Sequence, residues 1–283
     1  MVLSKGRIIA LMAGCAVCVV AFQGYLVLSR STQDHTGPEI TFDSQQIRVS
    51  VKDSEGALLS GVTAWDDKDG DVTSLVVVEG ISDLAADHTA KVTYAAFDAA
   101  GNVTKAQREV VYSDYRSPKF RLSQPLVFQS GTSFDLFQCV HAEDVLDGSL
   151  DSRIKATLVE GNTAVSAEGV HKVEFRVTNS MGETVNLTMP VEVYPAGQYQ
   201  GVISLRENLV YLGAGSTFEP MDYLQKYQVG ETAYTYFDGT YGISVTIGGD
   251  QVDTSVPGVY SVSYTVSDGE NTGYTRLIVV VEA

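Results

Sequence analysis

Basic residues are scarce in this chain. Lys and Arg number 19 in 283 residues against 35 Asp and Glu, a formal net charge of -16. A surface of that sign repels phosphate backbones and excludes nucleic acid as a partner. Cysteine is scarcer still, at Cys15, Cys18 and Cys139. The first two lie inside an apolar run, so the remainder holds one thiol and no internal disulfide, and its stability must come from packed cores. Catalytic signatures are missing as well. There is no Gly-x-Ser-x-Gly elbow and no phosphate loop, and Gly213 and Gly215 have no third glycine in the dinucleotide spacing. His35, His88, His141 and His171 have no second ligand at i+3 or i+4, so neither a zinc site nor an enzyme is expected.

One long apolar run is present. Residues 8–28 carry no charge, and as a helix rising about 1.5 Å per residue they would measure roughly 31 Å, the thickness of a bilayer's hydrocarbon. Lys5 and Arg7 precede the run and an acidic chain succeeds it, which predicts a single-pass signal anchor with residues 1–7 in the cytoplasm and the rest outside. Two other readings stay open for the same segment. One is a cleaved signal peptide. The other is lipidation at Cys15, because Leu11-Met12-Ala13-Gly14-Cys15 resembles a bacterial lipobox. Ala10, Gly14 and Cys18 share one helical face, where small residues let two anchors pack closely.

Behind the run the sequence repeats itself. Lys91 to Asp98 recurs as Lys172 to Asn179 and again as Ser261 to Asp268, at offsets of 81 and 89 residues. In each copy Val, an aromatic and a small apolar residue alternate with mostly polar ones, the period of a half-buried strand. This predicts Val92, Tyr94, Val173, Phe175, Val262 and Tyr264 as core residues. A Gly-bearing turn comes after each copy, then a second β-rich strand, so each is a hairpin. Upstream lie Asp-Gly turns at Asp69-Gly70, Asp147-Gly148 and Asp238-Gly239. Many short strands with turns between them predict β-sandwiches. The implied organisation is a cytoplasmic N-terminus 1–7, a transmembrane span 8–28, a linker 29–37 and units 38–112, 117–194 and 202–282. Short linkers and a strand rise of about 3.3 Å per residue predict a semi-stiff rod of about 100 Å.

Pro38-Glu39-Ile40-Thr41-Phe42, the stretch from Trp65 to Thr73 and the segment from Tyr94 to Thr104 resemble the bacterial Ig-like domains of surface proteins and of certain pesticidal crystal toxins. The third unit matches through Val252 to Tyr260, while the second departs, with Asn179 for the usual Asp. The resemblance covers nearly all of the chain after residue 37. It implies Ig-like modules, and together with the apolar run the expected fold class is all-β, three tandem Ig-like β-sandwiches preceded by one N-terminal transmembrane helix. It also implies a stalk, spacer or adhesive role in place of catalysis.

Two features point to ligands. Asp66, Asp67, Asp69 and Asp71 crowd around Gly70, a turn that would offer several oxygens to calcium, the one cofactor the sequence suggests. Ten of the fifteen tyrosines fall from Tyr199 onward, and Tyr234, Tyr236 and Tyr241 lie in a stretch lengthened relative to the other units. Tyrosine suits contacts with a protein or a cell-surface polysaccharide. The expectation is a membrane-anchored extracytoplasmic binding stalk of a bacterial cytoplasmic membrane. The alternative is a structural subunit of a cell-envelope complex that binds laterally through its membrane helix or sandwich edges.

Overall fold

The computed structural model describes residues 18–25, 34–85, 87–159, 165–239 and 241–283. Residues 18–25 are helical, and the rest of the expected membrane span 8–28 lies outside the described residues. No helix among the described residues is long and apolar enough to cross a membrane.

From residue 39 onward the chain is all-β and arranged as tandem sandwiches. The first holds β1 (Glu39–Phe42), β2 (Gln46–Val49), β3 (Val62–Asp66), β4 (Gly70–Asp71), β5 (Val77–Ile81), β6 (Thr89–Phe97) and β7 (Val103–Tyr112). The second holds β8 (Lys119–Leu122), β9 (Val127–Gln129), β10 (Val140–Asp144), β11 (Gly148–Ser149), β12 (Lys155–Leu158), β13 (Gly169–Thr178) and β14 (Thr184–Tyr194). The third holds β15 (Val202–Leu205), β16 (Leu209–Gly213), β17 (Leu224–Val229), β18 (Thr232–Tyr234), β19 (Ser244–Gly249), β20 (Gly258–Ser267) and β21 (Thr272–Glu282). Each divides its strands into a three-stranded sheet and a four-stranded sheet, ordered β2-β7-β6-β5, β12-β13-β14-β9 and β16-β21-β20-β19 in the larger one. In every copy the second strand pairs parallel with the last: β2 with β7, β9 with β14 and β16 with β21.

Alternation in sequence becomes alternation in burial. Val92, Tyr94, Val173, Phe175, Val262 and Tyr264 are each at most 1% exposed, which fixes the strand register expected from the repeat. Hairpin tips need a left-handed residue, and Gly101 and Gly182 supply it at φ 88° and 77°. Buried tyrosines also fasten a 3₁₀ turn to the sheet in two copies. Tyr94 Oη donates to the Leu58 carbonyl at 2.7 Å in the first, and Tyr264 Oη to the Pro220 carbonyl at 2.8 Å in the third.

The chain divides into two compact units, Met1–Ser113 and Asp114–Ala283. The second unit contains two sandwiches, and their arrangement differs from the expected rod. Strand β21 is covered on both faces. Leu277 and Val279 belong to the core of the third sandwich, whereas Ile278 and Val280 pack into the core of the second, together with Leu209 and Tyr211. The two sandwiches therefore lie against each other along a sheet face. Polar contacts line the seam. Glu192 accepts from Tyr274 Oη at 2.8 Å and pairs with Arg276, Lys119 pairs with Glu282 at 2.7 Å, and Tyr211 Oη accepts the Phe120 N–H at 3.1 Å. Tyr199, in the linker, stacks on Tyr274 at 5.1 Å. The physical reason is plain: apolar side chains on the outward face of β21 need a cover.

Candidate functional site

The strand ends that precede turns carry acids because a carboxylate there caps the turn. Asp66, closing β3, accepts the N–H groups of Lys68 and Asp69 at 2.8 and 2.9 Å. Asp144, closing β10, does the same for Leu146 and Asp147 at 3.0 and 2.6 Å. Asp98, after β6, accepts the Asn102 N–H at 2.7 Å, and Asn179, after β13, accepts those of Met181 and Glu183, both at 3.0 Å. Their recurrence thus has a structural cause.

In the first sandwich these caps face one another. Ligand atoms of Asp34, Asp66 and Asp98 all lie within 4.8 Å of one another, and Asp66 and Asp98 are only 2% and 6% exposed. Asp34 is half-buried and is held by the backbone N–H and then the hydroxyl of Thr36, which keep its carboxyl below the usual range. The cationic and amide groups at hand are Lys68 Nζ, 3.5 Å from Asp34, and Asn102 Nδ2, which donates to Asp98 at 2.6 Å. Of the four aspartates singled out by sequence, Asp66 alone joins this group. Asp69 accepts the Ala99 N–H at 2.7 Å, Asp71 accepts that of Thr73 at 2.9 Å, and Asp67 is exposed. Three carboxylates in so small a volume suit a hard divalent cation such as calcium, which takes oxygen ligands. It is the one such grouping of His, Cys, Asp or Glu among the described residues.

The second sandwich answers the same electrostatic problem without a cation. At the place of Asp98 it has Asn179, whose Nδ2 donates to Asp144 at 3.0 Å and to Tyr115 Oη at 2.8 Å. Tyr115 in turn bonds Glu183. Burial and the adjacent Glu183 push the Tyr115 phenol well above its ordinary pKa. An amide hydrogen bond replaces a carboxylate pair. In the third sandwich Asp268 caps its hairpin through Glu270 and Asn271 at 3.0 and 2.7 Å. There β17 ends in Val229, where β3 and β10 end in aspartate.

The tyrosines of the third sandwich also come together. Tyr234 on β18 is half-buried, its ring 6.0 Å from the fully buried Tyr227 and 6.3 Å from Tyr241. Tyr236 and Tyr241 are 67% and 61% exposed. Tyr234 thus joins the buried Tyr227 to the exposed Tyr241, while Tyr236 lies two residues from Tyr234 in sequence with its ring exposed. The remaining sequence candidates are accounted for locally. Cys139 is buried, which pushes its thiol pKa up, and His141 pairs with Asp151 at 2.8 Å.

These features define a chain of tandem β-sandwiches bearing a carboxylate cluster and an aromatic patch. No family model matches the chain. Over 129 residues it is 30% identical to the pesticidal crystal protein Cry22Aa of Bacillus thuringiensis, a match covering 46% of this chain and 16% of that protein. Among solved structures it is similar to CBM51-2 in complex with GlcNAc and INT domains from Clostridium perfringens ZmpB. The identity there is 16% over 86% of this chain and 41% of the other, with a TM-score of 0.22. It is also similar to the extracellular domain of protocadherin GammaB4, at 8% identity over 89% of this chain and 52% of the other, with a TM-score of 0.20. At TM-scores this low neither structural likeness bears on function.

Proposed function

We propose that the chain is a non-catalytic binding stalk, held at a bacterial cytoplasmic membrane by its N-terminal apolar run and presenting its sandwiches on the outer side. Its partner is a protein or a cell-surface polysaccharide. The observation that carries this reading is the exposed ring of Tyr241 against Tyr234, with the exposed Tyr236 two residues from Tyr234 in sequence. Exposed aromatics on a rigid scaffold supply contact area at low entropy cost. Replacing Tyr236 and Tyr241 together by Ser, with Tyr234 retained, weakens capture of envelope material by tenfold or more while the melting temperature stays put. Capture equal to that of the parent overturns the reading.

Within this proposal calcium occupies the cluster of Asp34, Asp66 and Asp98, where it would neutralise the carboxylates and brace the first sandwich. The alternative, lateral assembly, is favoured by an outward apolar strip on the first sandwich. Val77, Phe97 and Val103 are 47%, 40% and 47% exposed, with Phe97 directly across the ladder from Val103. Self-association of the full chain that Phe97→Lys abolishes is its signature, and a monomer at all concentrations sinks it.

A further inference from the structure

The second sandwich differs from its neighbours at one buried position, and a groove lies against the 3₁₀ turn that this position leaves unfastened. Tyr94 and Tyr264 tie the 3₁₀ turns of the first and third sandwiches to their sheets through their hydroxyls. At the same place in the repeat the second sandwich has Phe175, which is fully buried and has no hydroxyl to donate. Its own 3₁₀ turn, Leu136–Gln138, is fastened from the other side: Cys139 Sγ donates to the Asp135 carbonyl at 3.3 Å and accepts from Gln124 Nε2 at 3.0 Å. Between the β8–β9 connection and the loop leading into that turn lies a groove of about 480 Å³. That volume falls inside the range of about 300 to 1,000 Å³ typical of small-ligand sites.

Its lining has a definite chemical character. Phe134, half-buried, lines the groove with its ring stacked on the buried Phe128, centroids 4.0 Å apart and 7° from parallel, so the apolar wall is a rigidly held ring. Around this wall stand Gln124, Ser133, Asp135 and Gln138, all exposed. Asp135 Oδ1 caps the turn by accepting the Phe137 N–H at 2.9 Å, and Gln124 Nε2 is spent on Cys139. Asp135 Oδ2, Gln124 Oε1, the Ser133 hydroxyl and both ends of the Gln138 amide have no hydrogen-bond partner among the described residues, and they supply both acceptors and donors. No Lys or Arg lines the groove, so an anionic ligand has nothing to pair with. Apart from Phe128 on β9, the lining comes from the connections on either side of β9 and from the 3₁₀ turn. A pyranose fits this character: one C–H-rich face for the aromatic wall and a ring of hydroxyls for the amides, the hydroxyl and the carboxylate.

We propose that this groove binds a neutral saccharide. The inference deepens the polysaccharide arm of the proposed function, rests on the chain being non-catalytic, and uses a site on a different sandwich from the tyrosine patch. The test is a titration of the full chain, kept in mild detergent, with the methyl glycosides of glucose, galactose, mannose and N-acetylglucosamine, followed through backbone amide resonances. At least one sugar moves the resonances of residues 133–139 and saturates at a Kd of about 1 mM, the strength of a shallow single-residue subsite. Gln138→Ala, whose side chain bonds nothing in the protein, weakens that response tenfold or more with no change in melting temperature. Asp135→Asn, which keeps the cap but removes the charge, weakens it too. If none of the four sugars moves these resonances, or if Gln138→Ala leaves the response intact, the groove is not a saccharide site. Either result with tyrosine-dependent capture retained overturns the groove alone, whereas release of free sugar from a polysaccharide by the chain overturns the non-catalytic reading instead.

Discussion

The first and second sandwiches solve one electrostatic problem in two ways, so exchanging the deciding residue should exchange the behaviour. Asp98→Asn places an amide where the first sandwich has a carboxylate, copying Asn179, which donates to Asp144 at 3.0 Å. Two unit charges about 4 Å apart interact by about 4 kcal/mol at an effective dielectric of about 20. The ligand atoms of Asp66 and Asp98 lie within 4.8 Å, so relieving their repulsion gains up to about 3 kcal/mol. Against this stands the Asn102 amide, which donates to Asp98 at 2.6 Å and would lose a charged acceptor, a loss of about 1 kcal/mol. The net expectation is that the first unit gains about 1 to 2 kcal/mol in chelator and no longer responds to calcium. The parent should instead gain about 2.7 kcal/mol from calcium at 100 times its Kd. In the second sandwich Asn179→Asp removes the donors to Asp144 and Tyr115, costs about 3 kcal/mol in chelator, and creates a calcium response where none existed. Scanning calorimetry in millimolar calcium and in chelator reads all four values, at roughly 4 to 8 °C per kcal/mol for a domain of this size. A parent curve identical in calcium and chelator, or an Asp98→Asn variant that melts lower in chelator, refutes the reasoning.

Two further outcomes rest on the packing and the turns. Phe175→Ala should destabilise the second unit by about 3 to 5 kcal/mol, because the ring is fully buried against Phe120 at 6.5 Å, and a loss under about 1 kcal/mol in chemical denaturation would contradict that burial. Acid should destabilise the chain only below about pH 4: the turn-capping carboxyls of Asp34, Asp253 and Asp268 are held below their ordinary pKa by hydrogen bonds from Thr36, Ser255 and Asn271, so their contribution is present above the unfolded value and disappears as pH falls through the lowered one. Stability lost already between pH 7 and 5 would show that other groups dominate.

Much of the fold is legible in the sequence because a half-buried strand advertises its inward residues. Val173, Phe175 and Val177 alternate with Lys172, Glu174 and Arg176, and the alternation alone names the buried three. The side-by-side packing left a quieter trace. From Leu277 to Val281 the alternation stops and five apolar residues run together, the mark of a strand covered on both faces. The carboxylate cluster was half legible. Asp66 stands out in a crowded turn, but Asp34 and Asp98 each lie 32 residues away, and only the folded sandwich brings the ends of β3 and β6, which belong to different sheets, together. A signal existed in the repeat itself: Asn179 in place of Asp98 marks where charge had been traded for an amide. The change at Phe175 obeys the same logic, since the missing hydroxyl is visible once Tyr94, Phe175 and Tyr264 are aligned.

The parallel pairing of each second strand with the last sets how a sandwich bears load. Tension drawn between its two ends first peels away the short opening strand, then meets a ladder whose two strands are pulled in opposite directions along their length. Bonds spaced evenly along a parallel ladder then resist in shear, all together, where a hairpin pulled from its open end would give way one pair at a time. The ladders differ in length, with four register pairs between β2 and β7, three between β9 and β14, and five between β16 and β21. The shortest ladder belongs to the second sandwich, and that is the one braced by the outer face of β21. In the stalk proposed above, the shortest ladder would be the one given a splint.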